Sequence, residues 1–133
     1  MGDELIMVVD DNPVNLKLAR VLLMKKGYAV YTAMDADEAL AVLESVHPHL
    51  ILMDIQLPGM DGLTLTRRLK VNPATRDILI VALTAYAMKG DEQKAREAGC
   101  DGYIPKPIDP RTFIDTLRQY LSTRTGIAGQ PSP

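Results

Sequence analysis

The stretch of sequence that decides the fold spans residues 50–62 and reads LILMDIQLPGMDG. Its first four residues are apolar without interruption, a pattern typical of a strand that is buried on both faces of a parallel sheet. The strand ends in Asp54, and a carboxylate is costly to bury unless it is paired or bound to a metal. Asp54 is therefore expected at the carboxyl end of the strand, where parallel α/β sheets bind ligands. Pro58-Gly59 and Asp61-Gly62 predict a loop over that end.

The composition is that of one ordinary globular domain. The chain has 133 residues, of which 47% are hydrophobic and 24% are charged, and its net charge is −2. Such a chain holds one domain with its own core and offers no basic surface for nucleic acid. The single cysteine, Cys100, excludes an internal disulfide and favours a reducing compartment. Because neither a membrane span nor a signal peptide is visible, we expect a cytoplasmic protein that contacts no membrane.

Predicted strands and helices alternate along the rest of the chain. Apolar runs predict further strands at residues 5–9 and 78–83, and residues 28–33 and 102–105 are read as two short strands. Helical patterns run from Asn12 to Gly27, from Asp35 to His47, from Gly62 to about Val71, from Ala85 to Ala98, and from Asp109 to about Leu121. This alternation predicts a parallel sheet that is covered by helices on both faces. The expected fold is a flavodoxin-like doubly wound (βα)5 three-layer sandwich with strand order 2-1-3-4-5.

The chain divides into a domain at residues 4–122 and a C-terminal tail at residues 123–133. The tail is rich in Gly, Ser, Thr and Pro and has no apolar periodicity, so we predict that it is flexible. Within the domain, Asn12-Pro13 predicts the start of the first helix, with an N-cap followed by a proline. The apolar residues that recur there at helical spacing are Val14, Leu18, Val21 and Leu22.

Chemically active side chains follow the carboxyl ends of four predicted strands. They are Asp10, Asp11, Asp54, Thr84 and Lys106. In a sheet of the expected order the first and third strands are neighbours, so their acids converge at the switch point. Crowded carboxylates need a compensating cation, and a ligand set of oxygens suits Mg²⁺. Aspartate is also a nucleophile that forms an aspartyl phosphate, so the group predicts Mg²⁺-assisted phosphoryl transfer.

Several motifs occur together in the chain. They are MVVDDN at residues 7–12, LMDIQLPGMDG at residues 52–62, ALTA at residues 82–85, and Lys106-Pro107. Together they resemble the receiver domain of two-component response regulators, and the resemblance covers residues 5–121. The sequence of residues 83–109 is similar in particular to that of single-domain regulators of the DivK type.

The resemblance implies a phosphoacceptor and a metal site. Asp54 would accept the phosphoryl group. Asp10 and Asp11 would hold Mg²⁺, for which Mn²⁺ could substitute. Asp54 and the backbone carbonyl of Gln56 would be further ligands of the ion.

The resemblance also implies catalytic and switch residues. Lys106 would pair with the phosphoryl group, and Thr84 would be both a catalytic group and the switch hydroxyl. Tyr103 matches the aromatic switch position, and the bond between Lys106 and Pro107 would be cis.

The implied function is that of a single-domain response regulator in a two-component phosphorelay. A histidine kinase or a histidine phosphotransfer protein would donate the phosphoryl group. The face made by the fourth helix, the fifth strand and the fifth helix would then contact a downstream protein. Such a receiver catalyses its own phosphorylation and dephosphorylation, yet it is a signalling module rather than an enzyme. We expect a monomer or a weak dimer.

Three alternatives stay open at this point. The chain could be a receiver excised from a hybrid histidine kinase or a diguanylate cyclase. It could be a Mg²⁺-dependent phosphohydrolase that uses an aspartyl phosphate, although haloacid-dehalogenase-like enzymes usually carry an acid where this chain has Gln56. A flavodoxin-like electron carrier would need a phosphate-binding loop rich in Ser, Thr and Gly after the first strand, where residues 10–13 read DDNP.

Overall fold

Strands and helices alternate in the folded chain as the sequence predicts. The computed structural model describes residues 4–57, 59–84, 89–106 and 108–129. The strands are β1 (Leu5–Val9), β2 (Ala29–Ala33), β3 (Leu50–Asp54), β4 (Leu79–Thr84) and β5 (Gly102–Pro105). The helices are α1 (Pro13–Lys25), α2 (Ala36–Leu43), α3 (Gly62–Val71), α4 (Lys89–Ala98) and α5 (Phe113–Gly129).

The strands form one parallel sheet in the order β2-β1-β3-β4-β5. β1 and β3 are neighbours, and their register places Val9 opposite Met53. This order confirms the predicted flavodoxin-like doubly wound sandwich. It also brings the carboxyl ends of β1 and β3 side by side, which positions the candidate site.

β3 is the central strand, and all of its residues are buried, as its apolar run predicts. Leu50 and Leu52 point into the core formed with α1 and α5. Ile51 and Met53 point into the core formed with α2 and α3. Because successive side chains of a strand point to opposite faces, this one strand supplies both layers of the core.

The buried face of α1 overlaps only in part with the periodic residues that predict the helix, of which Leu18 and Leu22 pack against the core. Its buried residues are Leu16, Ala19 and Leu23. Val14 and Val21 are instead 73% and 45% exposed. Asn12 caps the helix as predicted, because its side chain accepts hydrogen bonds from the backbone N–H groups of the first turn. The apolar spacing therefore locates this helix and part of its core contacts, but it does not distinguish the exposed residues Val14 and Val21.

The last helix departs from the prediction at both ends. It begins at Phe113 rather than next to Asp109, whose carboxylate caps the preceding turn by accepting from the N–H of Arg111 at 2.9 Å. It continues to Gly129, beyond the predicted end near Leu121, because polar residues and glycine lower helix propensity without forbidding a helix. The flexibility of residues 123–133 stays a prediction.

Some predictions fall on residues that the structure does not describe. The predicted start of α4 at residues 85–88, the loop residue Pro58 and the bond to Pro107 lie outside the described ranges. Within those ranges, no helix combines the length and the apolar character that crossing a membrane requires.

Candidate functional site

The structure brings the three predicted acids together at the carboxyl edge of the sheet. One carboxylate oxygen each from Asp10, Asp11 and Asp54 lies within 4.8 Å of the others. Asp10 and Asp54 are buried, with 0% and 3% of their surface exposed, whereas Asp11 is exposed. The cluster therefore opens to solvent on the side of Asp11.

Lys106 reaches these acids from the end of β5. Its Nζ lies 2.9 Å from Oδ2 of Asp54 and 3.2 Å from Oδ2 of Asp10. Its backbone N–H donates to the carbonyl of Thr84 at 2.6 Å, which fixes the base of the side chain next to the end of β4. One ammonium group thus faces three carboxylates, so the cluster carries an excess of negative charge.

The start of α1 orients Asp10. The backbone N–H of Asn12 donates to Oδ1 of Asp10 at 2.9 Å, and Nδ2 of Asn15 donates to Oδ2 at 3.4 Å. The cap of α1 is Asn12 rather than Asp10, and Oδ2 of Asp10 faces the ammonium of Lys106. The sequence reasoning missed Asn15, although its place in the first turn of α1 is a signal that could have found it.

Asp54 is held by the loop that follows it. The backbone N–H of Gln56 donates to Oδ1 of Asp54 at 2.9 Å, while the Gln56 side chain is exposed. Any Cβ at position 62 would overlap the backbone carbonyl of Asp54, so Gly62 allows the start of α3 to pack directly on the end of β3. Asp54 thus contacts the backbone N–H of Gln56. That the backbone carbonyl of Gln56 is a metal ligand stays a prediction.

The charges of the site shift two pKa values. Burial raises the pKa of Asp54, and the negative charge of Asp10 raises it further, against the hydrogen bonds from Lys106 and Gln56 that lower it. Burial lowers the pKa of Lys106, but the hydrogen bond and charge of Asp54, together with Asp10, outweigh it, so the pKa of Lys106 is raised. Both shifts indicate a site that favours additional positive charge.

The hydroxyl of Thr84 is buried at the end of β4, and Thr84 is 1% exposed. Among the described residues this oxygen has no hydrogen-bond partner. An unpaired buried hydroxyl costs about 1–3 kcal/mol, so its presence next to the acids is consistent with a bound group that would accept its hydrogen bond.

Tyr103 lies on β5 and is half buried. It packs against a small apolar cluster made by Ile55, Ala82 and Ala95. Ile55 directly follows Asp54 and Ala95 belongs to α4, so this cluster lies between the candidate site and α4.

The donor atoms fit a hard divalent cation. The three acids offer oxygen ligands, which Mg²⁺ and Mn²⁺ prefer over nitrogen or sulfur ligands. The surplus of carboxylates over ammonium groups supplies the negative charge that such an ion requires. Asp10, Asp11 and Asp54 are therefore the residues that could hold it.

The chain is similar to known proteins in both sequence and fold. Residues 6–118 match the family model of the response regulator receiver domain. The polar-differentiation response regulator DivK of Brucella ovis is 47% identical over 116 residues, covering 87% of this chain and 94% of the relative. The chemotaxis response regulator CheY4 of Vibrio cholerae superposes with a TM-score of 0.84 at 26% identity, covering 89% of this chain and 98% of that chain.

A further solved structure is similar to this chain and is described with a metal. It is the receiver domain of a sensor histidine kinase from Pseudomonas aeruginosa PAO1, with a magnesium ion coordinated in its active-site cleft. It superposes with a TM-score of 0.81 at 32% identity, covering 90% of this chain and 98% of that chain.

Proposed function

This chain belongs to the response regulator receiver family, and on that premise we propose that it is a DivK-like single-domain regulator of a two-component phosphorelay. A histidine kinase or a histidine phosphotransfer protein donates a phosphoryl group to Asp54 in a Mg²⁺-dependent step. The observation that carries the proposal is the buried carboxylate of Asp54, which lies 2.9 Å from the ammonium of Lys106 and next to Asp10 and Asp11.

Asp54 acts as the nucleophile in this proposal. A carboxylate oxygen of Asp54 bonds to the phosphorus of a phosphohistidine while the P–N bond breaks, and the imidazole nitrogen retains the electron pair. The N–H of Gln56 and the ammonium of Lys106 hold the carboxylate in position. Positioning and charge neutralisation account for most of the catalysis in phosphoryl transfer, so these contacts support the assignment.

The metal site consists of Asp10, Asp11, Asp54 and the backbone carbonyl of Gln56. When bound, Mg²⁺, or Mn²⁺ as its substitute, would neutralise the transferred phosphoryl oxygens. The clustering of three carboxylates supports this site. The magnesium ion described for the similar Pseudomonas aeruginosa receiver supports it as well.

Phosphorylation then changes the contacts of the switch residues. The phosphoryl group adds negative charge and strong hydrogen-bond acceptors. The hydroxyl of Thr84 donates to one of these oxygens and Lys106 pairs with another, while Tyr103 turns inward. α4 lies over this region and buries the small side chains of Ala95 and Ala98, so its packing is readily adjusted. The output surface is the face made by α4, β5 and α5, which contacts a downstream protein.

The exposed apolar side chains of α1 support a contact with the phosphoryl donor. The donor has to cover the carboxyl edge of the sheet in order to reach Asp54. Val14, in the first turn of α1, is 73% exposed, and Val21 and Met24 further along the helix are 45% and 52% exposed. Exposed apolar residues that lie together on one helix are typical of protein interfaces.

We propose a cytoplasmic signalling protein that is a monomer or a weak dimer and that acts through protein partners rather than through nucleic acid. The alternative of a receiver that forms part of a longer hybrid kinase or diguanylate cyclase makes the same use of Asp54. The length of the natural reading frame decides between the two.

The test is to incubate the protein with acetyl phosphate and Mg²⁺ and to measure its intact mass. We expect a gain of one phosphoryl group, which a chelator abolishes. Unchanged mass in the presence of Mg²⁺, or equal labelling in the chelator, would contradict the proposal. Rapid release of phosphate without any gain in mass would instead favour the phosphohydrolase alternative.

A further inference from the structure

Tyr120 of α5 contacts the backbone of β5 at Tyr103. Its hydroxyl accepts a hydrogen bond from the N–H of Tyr103 at 3.3 Å and donates one to the carbonyl of Tyr103 at 3.4 Å. The ring of Tyr120 packs against the core shared by α1 and α5. One side chain of α5 thus holds both backbone groups of the residue at the predicted aromatic switch position.

This contact lies along β5, the outer strand on one side of the sheet. β5 is the last strand of the sheet, and the N–H of Lys106 points inward to the carbonyl of Thr84 on β4. Because alternate residues of a strand direct their backbone groups to opposite sides, those of Tyr103 point toward the open edge. The hydroxyl of Tyr120 therefore covers edge groups that would otherwise face solvent or another strand.

Gly102 makes room for the ring of Tyr120. A Cβ at position 102 would overlap that ring. The described glycines with positive φ are Gly27, Gly59 and Gly99, so glycine at position 102 meets a need for space rather than for an unusual backbone conformation. The ring thus lies directly on the backbone of β5.

Tyr103 is consequently held from two sides. Tyr120 of α5 hydrogen-bonds to the backbone of Tyr103. The side chain of Tyr103 packs on the other face of the sheet with Ile55 and Ala95. The same strand carries Lys106, whose Nζ lies 2.9 Å from Asp54. A shift of Lys106 toward a phosphoryl group would therefore pull on a strand that Tyr120 ties to α5.

We propose that Tyr120 is a positioning residue that fixes β5 at Tyr103 and transmits the change at Asp54 to α5. This role rests on the proposed function, since it presupposes that Asp54 is phosphorylated. The device links the site to one specific helix of the output face through two hydrogen bonds to a backbone, so it depends on the hydroxyl of Tyr120 rather than on its bulk.

The test uses Tyr120→Phe, which removes the hydroxyl and keeps the ring. We expect the amide hydrogen of Tyr103 to exchange roughly 5- to 10-fold faster, as the loss of a hydrogen bond implies. After labelling with acetyl phosphate and Mg²⁺, the NMR shift changes of α5 amides should fall below half of the wild-type changes. The shift changes at Thr84 and Lys106 should persist. A role of Tyr120 in stability alone would not produce this selective loss in α5. Tyr31→Phe, on the opposite edge strand, is the matched control and should change neither readout.

A second variant approaches the same contact from the other side. Gly102→Ala should displace the ring of Tyr120 and reproduce both effects. If the wild type takes up no phosphoryl group, the proposed function is wrong and the role of Tyr120 falls with it. If the wild type is labelled and both variants keep the wild-type response in α5, the role of Tyr120 is overturned while the proposed function stands.

Discussion

Two lysine–aspartate pairs lie at opposite edges of the sheet, and their surroundings differ. At the carboxyl edge, Nζ of Lys106 lies 2.9 Å from Oδ2 of Asp54. At the amino edge, Nζ of Lys70 lies 2.8 Å from Oδ2 of Asp101. The two pairs have the same chemistry and nearly the same length, so their environments decide what each one does.

The pair at the amino edge is saturated. Lys70 also donates to the carbonyls of Ile78 at 2.8 Å and Arg76 at 3.4 Å. Asp101 also accepts from the N–H of Ile80 at 2.8 Å. One cation therefore balances one anion, and the hydrogen bonds tie the end of α3 to the starts of β4 and β5. The role of this pair is structural.

The pair at the carboxyl edge is unbalanced. Asp10 and Asp11 add two further carboxylates to it, and the buried hydroxyl of Thr84 has no partner among the described residues. The comparison teaches that an ion pair does not by itself mark a functional site. Surplus charge together with an unpaired buried polar group does.

The largest expected effect comes from removing each lysine. Without Mg²⁺, Lys106→Met should lower the free energy of unfolding by about 2–4 kcal/mol, because it leaves buried acids without a cation. Lys70→Met should lower it by about 1–3 kcal/mol, because it leaves the carbonyls without a donor. Urea unfolding measures both. Mg²⁺ should then stabilise Lys106→Met more than the wild type, and Lys70→Met by the same amount as the wild type. Equal gains in the two variants would contradict the comparison.

The next effect concerns metal binding at the open side of the site. At a Mg²⁺ concentration of about 100 times the Kd, the wild type should gain about 2.7 kcal/mol of stability. Asp11→Asn should lose most of this gain, yet remain within about 0.5 kcal/mol of the wild type in a chelator, because Asp11 is exposed. Thermal unfolding with and without Mg²⁺ measures the gain. The control is Asp37→Asn, an exposed acid of α2 that should respond to Mg²⁺ like the wild type. A full response in Asp11→Asn would remove this residue from the metal site.

A smaller effect follows from the raised pKa of Asp54. Burial raises this pKa above 3.8, so between 3.8 and the raised pKa the folded state binds more protons than the unfolded state. The stability of the metal-free protein therefore falls as the pH rises through that window, and the loss persists above it. Asp54→Asn avoids the loss and should therefore be more stable than the wild type in a chelator at neutral pH. This advantage should vanish as the pH approaches 3.8. An advantage that does not vary with pH would contradict the burial of the charge.

The smallest effect separates two buried threonines. Thr66 donates from its hydroxyl to the carbonyl of Gly62 at 2.8 Å, whereas the hydroxyl of Thr84 is unpaired among the described residues. Thr66→Val should therefore cost about 1 kcal/mol, and Thr84→Val should be neutral or stabilising by a few tenths of a kcal/mol. Chemical denaturation of the two variants provides the measurement. An equal cost at both positions would mean that Thr84 has a partner in the folded protein.

The sequence predicts the fold and the members of the carboxyl edge because the relevant signals are local. Apolar runs predict the buried strands, and the strict alternation of strands with helices leaves few permitted topologies. The topology then brings the ends of β1 and β3 together. Asp10 and Asp54 could thus be assigned to one site before any contact was known.

The contacts that the sequence does not predict join residues far apart in the chain. Lys70 meets Asp101 31 positions later, and Tyr103 meets Tyr120 17 positions later. Such partners depend on how helices pack on the sheet. The sequence around a helical lysine is the same whether that lysine forms a structural ion pair or faces water. The exposure of Val14 is unpredictable for a related reason, since an apolar residue at helical spacing fits the core and an interface equally well.

The most direct test of the phosphoacceptor uses the two aspartates of the comparison. Wild type, Asp54→Asn and Asp101→Asn are incubated with acetyl phosphate and Mg²⁺, and intact mass is measured for each. We predict the gain of one phosphoryl group in the wild type and in Asp101→Asn, and no gain in Asp54→Asn. Labelling of Asp54→Asn at the wild-type level would contradict the assignment of Asp54 as the acceptor.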